Sequence, residues 1–475
     1  MIEGLKPYAE YKESGQEWLG GVPAHWELKP GHAAFAPRKE SNRGMKEKTV
    51  LSLSYGRIKV KAIDKHHGLV PESYETYQVV NEGNIIIRGT DLQNDHTSLR
   101  IGLSRNRGII SSAYLCLEAQ PTITPDYGYQ ILNVFDLTKA IYLYGSGLRQ
   151  NLDHGEIKRL PIFLPPLDEQ AAIVRFLDHA NRKIDRFIRA KRKLIGLLNE
   201  QKQAIIHHAV TRGLDPDVPL KPSGIPWLGD IPKHWEVFRL GRVIKLITGF
   251  PFPSDGFTQK ESAVRLLRGI NVTPVGLRWD STVRWERTQA DGLDEFLLQV
   301  GDIVLGMDRP IIAAGVRAAS IQPQDIPSLL LQRVARLTPK ERITGPFLLH
   351  LLQGRLFAEY IAPIFTGISV PHLSPEQIKG FKVMLPPVEE QEDIVAFITN
   401  ETATLTTAIA RTEREIALMQ EYRTRLTADI VTGKLDVREA AAKLPDLPTD
   451  PAAELFTGES PEHTDILDEI EPEES

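Results

Sequence analysis

Two stretches of the chain carry core-facing positions at alternating intervals of four and three residues, the spacing of a helix that buries one narrow stripe. The first stretch starts at Ile184 and the second at Leu405, and each member of the second lies 221 positions after its counterpart. Sustained over about four heptads, this spacing predicts a coiled-coil seam. The apolar seam positions are Ile184, Ile188, Ile195, Leu198, Ile205 and Ala209, then Leu405, Ile409, Ile416, Met419, Leu426 and Ile430, with Lys191, Lys202, Thr412 and Arg423 in the polar slots.

Each seam belongs to a predicted long helix that opens after a Leu-Pro-Pro motif. Proline is tolerated in the first helical turn, and the acidic residues that follow it suit the positive end of the helix dipole. Gly213 and Gly433 predict the two helix ends. Asp168–Gly213 carries a net charge of +5 and Glu389–Lys434 a net charge of −4. Opposite charges favour antiparallel pairing of the two helices with each other, while pairing with a separate protein is the alternative.

Two sequence motifs, here called the frame markers, occur twice in the chain and enclose segments that differ in sequence. Residues 14–27 return at 223–236, and the Leu-Pro-Pro motif at 164–170 returns at 385–391. The sequence therefore predicts one scaffold presenting two different surfaces. The repeat tryptophans Trp18, Trp26, Trp227 and Trp235 are predicted core anchors rather than platforms for base stacking.

Short apolar runs between the frame markers predict strands, as at Val50–Leu53, Asn84–Ile87, Gly108–Ile110 and Gly301–Leu305. The expected fold is α+β: two α/β domains separated by two long helices in an antiparallel coiled coil, with an internal pseudo-two-fold repeat. The predicted boundaries are 1–166 for the N-terminal segment and first globular domain, 167–213 for the first long helix, 214–387 for the second globular domain, 388–435 for the second long helix and 436–475 for an acidic, disordered tail.

Composition restricts the class of protein. A single cysteine, Cys116, excludes an intramolecular disulfide and fits a reducing cytoplasm. No apolar run is long enough to predict membrane insertion, and no export signal is expected. The tail from Asp436 onward holds 13 acidic and 2 basic residues, so the preceding part of the chain is mildly basic. That balance alone does not establish nucleic-acid binding.

The sequence contains little catalytic machinery. It has no phosphate-binding loop, no dinucleotide fingerprint and no amino-methyltransferase motif, and its paired histidines lack metal-ligand spacing. Pro125-Asp126 with Glu156-Ile157-Lys158 matches a loose nuclease pattern, but the second half has Gln377-Ile378-Lys379 at the matching place. We therefore predict no catalytic residue, no metal and no cofactor, and interpret the apolar-basic pair as packing plus a phosphate contact.

Several basic and polar residues suit DNA binding. Arg and Gln read guanine and adenine edges, whereas Lys, Ser and glycine amides hold phosphates. Solvated surface charge is the alternative for any one of them. The candidates are Lys59, Lys61, Arg105, Arg107, Ser146, Arg149, Gln150 and Lys158 in the first domain and Arg265, Arg268, Thr366, Ser369 and Lys379 in the second, with Arg100 as a further basic residue.

The frame markers resemble one known family. Trp-Leu-Gly-x-x-Pro-x-His-Trp before each domain, Leu-Pro-Pro-x-x-Glu-Gln before each helix, and Val210-Thr211-Arg212-Gly213-Leu214-Asp215 after the first helix are similar to the specificity subunit of type I restriction–modification systems. The second copy departs from the last motif at 431–436. Gly-Ser-Gly-Leu-Arg-Gln, at 145–150, also resembles family members.

The resemblance implies that each globular domain is a target recognition domain reading one half of a split sequence in double-stranded DNA. It also implies that the helices set an unread spacer and dock two adenine methyltransferase (modification) subunits, that motor-nuclease (restriction) subunits join the complex, and that this chain catalyses nothing. Because the two domains differ, the target is expected to be asymmetric. The alternatives are a coiled-coil scaffold that tethers two binding domains without reading sequence, and a single-chain nuclease or methyltransferase.

Overall fold

The computed structural model describes residues 5–61, 73–90, 92, 98–144, 151–225, 228–280, 282–288, 291–312, 314–364 and 371–445. These residues form two compact units. Unit 1 comprises the described residues of Met1–Arg192 and Arg414–Asp450, and unit 2 those of Lys193–Glu413. Strands and helices occur in both, so the chain combines α and β structure.

Unit 1 contains short strands and two short helices before the first long helix begins. Its strands are β1 (Tyr11–Glu13), β2 (Gly21–Pro23), β3 (Glu27–Pro30), β4 (Phe35–Pro37), β5 (Leu51–Ser54), β6 (Arg57–Val60), β7 (Gln78–Val80), β8 (Ile85–Ile87), β9 (Ile101–Leu103), β10 (Gly108–Ile110), β11 (Leu115–Ala119) and β12 (Pro161–Leu164); its helices are α1 (Pro125–Leu137) and α2 (His154–Arg159), followed by the long helix α3 (Leu167–Arg212).

Unit 2 repeats this plan with more strands. They are β13 (Leu220–Pro222), β14 (Asp230–Pro232), β15 (Glu236–Arg239), β16 (Ile244–Thr248), β17 (Val264–Leu267), β18 (Val272–Thr273), β19 (Gly276–Leu277), β20 (Val283–Trp285), β21 (Ile303–Gly306), β22 (Ile311–Ile312), β23 (Gly315–Val316), β24 (Ala318–Ser320), β25 (Ser328–Leu330), β26 (Val334–Pro339) and β27 (Lys382–Leu385). The helices are α4 (Leu240–Val243), α5 (Gly345–Gln353), α6 (Arg355–Ile361), α7 (Pro375–Gly380) and the first part of the long helix α8 (Val388–Val431). The residues of α8 from Arg414 onward belong to unit 1, as does α9 (Arg438–Ala442).

A four-stranded antiparallel sheet with the same strand order lies in each unit. The order is β4-β11-β8-β9 in unit 1 and β16-β26-β21-β24 in unit 2. Ile85 and Ile87 pack into the larger core of unit 1, which includes α1, while Ile86 on the opposite face joins a second cluster with Leu51 and Cys116. Burial on both faces explains why this strand is a continuous apolar run. The four strand predictions from the sequence are confirmed by β5, β8, β10 and β21.

The two long helices begin after the Leu-Pro-Pro motifs and end before glycines. Gly213 and Gly433 both have positive φ, near +74° and +78°, which closes the last helical turn at little steric cost. The second helix ends at Val431, four residues before its predicted boundary, because the backbone N–H groups of Lys434 and Leu435 turn back to the carbonyl of Asp429.

Within unit 1 the two long helices run in opposite directions where they contact each other. Asp185 forms an ion pair with Arg423, and Lys191 Nζ lies 2.7 Å from Glu415 Oε2. The later residue on α3 therefore faces the earlier residue on α8. In unit 2, Lys202 Nζ donates to Thr406 Oγ1 at 3.1 Å.

The start of the acidic tail is folded, which corrects the predicted boundary at Asp436. Val437 is fully buried and Ala441 nearly so, and both join the core of unit 1. The backbone N–H of Asp436 donates to the carbonyl of Lys6 at 2.8 Å. Apolar residues between the first acidic residues of the tail provide this anchor. Residues 446–475 lie outside the described part of the chain.

Candidate nucleic-acid interface

The two frame markers of unit 1 meet at the start of α3. The Glu169 carboxylate accepts hydrogen bonds from Trp26 Nε1 at 2.9 Å and from the Tyr8 hydroxyl at 2.6 Å, and it lies 2.8 Å from His25 Nε2. Trp26 is fully buried and Glu169 is 3% exposed. Burial and this carboxylate raise the pKa of Tyr8. The repeated sequence markers therefore build one joint between the globular domain and its helix.

Unit 2 contains the same joint. Trp235 Nε1 donates to Glu390 Oε1 at 3.0 Å, and His234 Nε2 lies 2.7 Å from Glu390 Oε2. Trp235 is fully buried, as the sequence predicts for a core anchor. Trp18 is half-buried against the ring of Phe135, with centroids 4.8 Å apart, whereas Trp227 lies outside the described residues.

The glutamine after each joint glutamate fastens the long helix to the neighbouring domain. In unit 1, Gln170 accepts from Thr124 N at 2.9 Å and donates to the carbonyl of Pro165 at 3.0 Å. In unit 2, Gln391 accepts from Thr344 N at 2.9 Å in the same way. Both glutamines are fully buried, so their hydrogen bonds fix the angle at which each helix leaves its domain.

Lys59 and Lys61 lie on an exposed hairpin of unit 1. β5 and β6 pair antiparallel, with Ser52 opposite Lys59 and Ser54 opposite Arg57. Arg57, Lys59 and Lys61 are all exposed. Sequence reasoning missed Arg57, although its period-two spacing with the two lysines places all three on one face of the strand.

Arg105 and Arg107 are bound to other side chains of unit 1. Arg105 Nη2 lies 2.5 Å from Asp126 Oδ1, and Arg107 Nη1 donates to Asn81 Oδ1 at 2.8 Å. Arg107 also lies 3.5 Å from Glu47. Both arginines remain more than half exposed, and a phosphate would have to displace these partners to bind them.

Lys158 and Lys379 occupy equivalent short helices, α2 and α7, and both are exposed. Glu156 folds back onto the backbone N–H of Asp153 at 2.9 Å and closes a capping box, and Gln377 does the same in α7. The glutamate of the nuclease-like pattern is therefore a helix-capping residue, and its Asp126 lies in the first turn of α1 and pairs with Arg105. Within the described residues, no group of three His, Cys, Asp or Glu side chains could hold a metal ion.

Arg265 and Arg268 are half-buried in unit 2. The Arg265 guanidinium stacks over the Trp279 ring at 4.4 Å and donates to the carbonyl of Gln324 at 2.8 Å. Burial lowers the pKa of both arginines. Arg265 thus binds the ring of Trp279 and the carbonyl of Gln324 within its own unit.

The predicted loop residues Ser146, Arg149, Gln150, Thr366 and Ser369 lie outside the described residues. Beside the second loop, His372 Nδ1 lies 2.7 Å from Asp308 Oδ1, and Arg333 Nη1 lies 3.2 Å from the same histidine nitrogen. These three polar side chains flank the end of β21.

An arginine supports the same sheet end in both units, and it is fully buried in unit 1 and half-buried in unit 2. Arg100 is completely buried and donates to the carbonyl of Thr90 at 2.7 Å, so its candidacy as a DNA contact is wrong. Arg317 donates to the carbonyl of Asp308 at 3.1 Å at the matching position of unit 2. Arg100 directly precedes β9, which pairs with β8, and Arg317 directly precedes β24, which pairs with β21. Only the strand pairing shows that the two arginines occupy equivalent positions.

The seam positions of both helices are buried or half-buried. Ile184 and Ile188 on α3 and Leu426 and Ile430 on α8 are each at most 6% exposed. Leu197, off the seam, is 55% exposed. Within the part of the chain that the structure describes, no helix is both long and apolar enough to cross a membrane.

Comparisons with known proteins find similarity to type I restriction specificity subunits. Residues 232–417 match the family model of the type I restriction modification DNA specificity domain. The chain is 27% identical over 362 residues to the type I restriction enzyme MjaVIII specificity subunit of Methanocaldococcus jannaschii, which covers 76% of this chain and 81% of that protein. It is 30% identical over 205 residues to the EcoAI specificity subunit of Escherichia coli, covering 43% of this chain and 34% of that protein.

A solved structure shares the fold. A chain from work on complex assembly and conformational transition of the type I R-M system matches with a TM-score of 0.52 at 16% identity, covering 87% of this chain and 99% of that one. Residues 232–417 therefore correspond to a type I restriction modification DNA specificity domain, and the chain is similar over most of its length to a type I specificity subunit.

Proposed function

We propose that the chain is the non-catalytic DNA-specificity subunit of a type I restriction–modification complex and that each globular domain reads one half of an asymmetric, bipartite target. One observation carries this proposal. The same joint and the same four-stranded sheet occur in both units, but the structure built around the sheet differs between them.

The difference lies in the segments inserted between equivalent strands. Between β4 and β8, unit 1 has the β5–β6 hairpin and β7. Between β16 and β21, unit 2 has β17, β18, β19 and β20, with β17 paired to both β20 and β25. Different surface strands offer different side chains to base edges, so the two half-sites should differ in sequence.

The long helices would form an antiparallel coiled coil that fixes an unread spacer between the half-sites. The ion pairs of Asp185 with Arg423 and of Lys191 with Glu415 support this pairing, as does the Lys202–Thr406 hydrogen bond. The 46 residues of α3 span about 70 Å, comparable to roughly two turns of B-DNA. A pseudo-two-fold relation between the recognition domains follows from antiparallel pairing.

The proposed partners are double-stranded DNA, two adenine methyltransferase subunits bound along the helices, and motor-nuclease restriction subunits. Similarity to type I specificity subunits supports these partners. DNA modification would take place in the cytoplasm. The chain itself would supply no catalytic group and no cofactor.

Selection from a randomised duplex pool tests sequence reading directly. The chain, co-purified with its modification subunits, is expected to enrich two short blocks separated by a constant unread gap. The rival hypothesis of a coiled-coil scaffold predicts no enrichment of any sequence. The chain purified alone and given S-adenosylmethionine and DNA is expected neither to methylate nor to cut; either activity would favour a single-chain enzyme.

A further inference from the structure

Three exposed cations of unit 1 lie on one face of the β5–β6 hairpin. Alternation along β6 places Arg57, Lys59 and Lys61 on the same side. Across the ladder, Ser54 lies opposite Arg57 and Ser52 opposite Lys59. This face therefore combines three positive charges with two hydroxyls on a two-stranded ribbon.

No carboxylate within the described residues pairs with the three cations. Neither an ion pair nor a side-chain hydrogen bond occupies Arg57, Lys59 or Lys61 there. Some cations of unit 2 are instead paired with carboxylates: Lys260 Nζ lies 2.6 Å from Glu286 Oε1. Two arginines of unit 2 are paired in the same way, Arg278 with Asp280 at 3.0 Å and Arg287 with Asp291 at 3.0 Å. The hairpin face therefore offers a ligand three exposed cations that no carboxylate of the described residues neutralises.

The hairpin is held firmly from behind. Leu51, Leu53 and Ile58 belong to a core cluster that also contains Ile86. The glycine at position 102 lies so close beneath them that an added Cβ would come within 2.7 Å of Leu53 Cδ1. An anchored ribbon presents its outer face without a large entropic penalty on binding.

The tip of the hairpin is a tight two-residue turn. Tyr55 and Gly56 both have positive φ, near +46° and +73°, as such a turn requires. Arg57 follows immediately, so the one arginine of this face sits at the tip, and the lysines follow along the strand. A two-stranded ribbon fits the major groove, where arginine binds guanine through two hydrogen bonds and lysine serves as a phosphate contact.

We propose that the β5–β6 hairpin enters the major groove of the half-site read by unit 1, with Arg57 contacting a base and Lys59 and Lys61 contacting phosphates. This inference rests on the proposed function. It adds the element, the groove and the division of roles between the three cations.

The test uses the chain with its modification subunits and the duplex selected by the wild-type complex. Arg57→Gln, Arg57→Lys, Lys59→Gln and Lys61→Gln are compared by gel shift at several salt concentrations and by selection from the randomised pool. Lys29→Gln and Lys443→Gln are matched controls, because these exposed lysines are paired with Glu27 and Glu439 at 2.5 Å. Thermal melting checks that every variant is folded.

Each lysine variant is expected to weaken binding to all duplexes alike and to reduce the slope of log affinity against log salt by about one. Arg57→Gln should relax discrimination at a position in one half-site by roughly 5- to 150-fold and leave the other half unchanged. Arg57→Lys should keep the salt slope but still lose that discrimination, because the ammonium lacks the planar fork of donors.

Unchanged selection and salt dependence in folded Arg57, Lys59 and Lys61 variants would overturn the hairpin proposal. A loss of base discrimination in both half-sites, rather than in one, would also overturn it. If the wild-type complex itself enriches no sequence, the proposed function fails instead, so the two failures are distinguishable.

Discussion

Glu169 and Glu390 occupy equivalent places but differ in burial. Glu169 is 3% exposed and satisfies the buried Trp26 indole and the Tyr8 hydroxyl. The side chain of Glu390 is 28% exposed and binds Trp235 and His234. A buried donor that loses its acceptor costs more free energy than one that water can reach. The two joints should therefore respond unequally to the same change.

Glu169→Ala is expected to lower the free energy of unfolding by about 2–3 kcal/mol, since two buried donors lose their acceptor. Glu390→Ala should cost about 1 kcal/mol, because its site is partly open to water. Urea denaturation of both variants measures the difference, and Glu169→Gln, which retains a carbonyl acceptor, should lie between Glu169→Ala and the wild type. Equal losses for the two alanine variants would contradict the burial argument.

His350 on α5 makes the stability of unit 2 depend on pH. Burial, aided by the charge of Lys202, lowers the pKa of His350 from 6.5 to about 4. Between these values the unfolded chain binds a proton that the folded unit does not. Stability is therefore intact above about pH 6.5 and falls as the pH drops toward 4.

His350→Leu is expected to reduce the slope of the unfolding free energy against pH by up to about 1.4 kcal/mol per pH unit between pH 6.5 and 4. Urea denaturation midpoints of the wild type and the variant at pH 7, 6 and 5 provide the comparison. Parallel curves for the two proteins would show that His350 does not titrate in this way.

At the scale of elements, regular spacing made the long helices and their seam predictable, whereas the partners of individual charges were not. A period of seven positions specifies which side of a helix faces its neighbour. The ion pair of Arg105 with Asp126 joins residues far apart in sequence, and so does the stacking of Arg265 on Trp279. Such contacts depend on strand pairing, which the sequence alone does not disclose.

The seam can be tested by comparing substitutions at seam positions with substitutions at exposed positions of the same helices. Ile195→Asp with Ile416→Asp is expected to separate the helices and impair bipartite recognition, because each half-buried position would receive a charge. Leu197→Asp with Leu418→Asp is the matched control, since these leucines are 55% and 57% exposed on the same helices. Methylation of the native target by each complex is the readout. Full activity of the seam variant, or equal loss in the control, would count against internal pairing.

At the scale of the whole molecule, the repeated markers predicted a duplicated scaffold but not what the markers do. Trp26 and Glu169 are separated by most of the first domain, yet they meet in a hydrogen bond at the helix start. The surfaces between the markers follow no repeat, so neither Arg57 on the hairpin nor the buried role of Arg100 could be assigned from spacing alone. Under the proposed function, sequence reading would depend on the part that is not duplicated.

The central claim is that one scaffold carries two different reading surfaces. Genome-wide mapping of methylated adenines in a host that expresses the chain with its modification subunits tests it most directly. The account predicts one asymmetric motif made of two specified blocks with a constant unread spacer. A palindromic motif, or a single uninterrupted block, would contradict it.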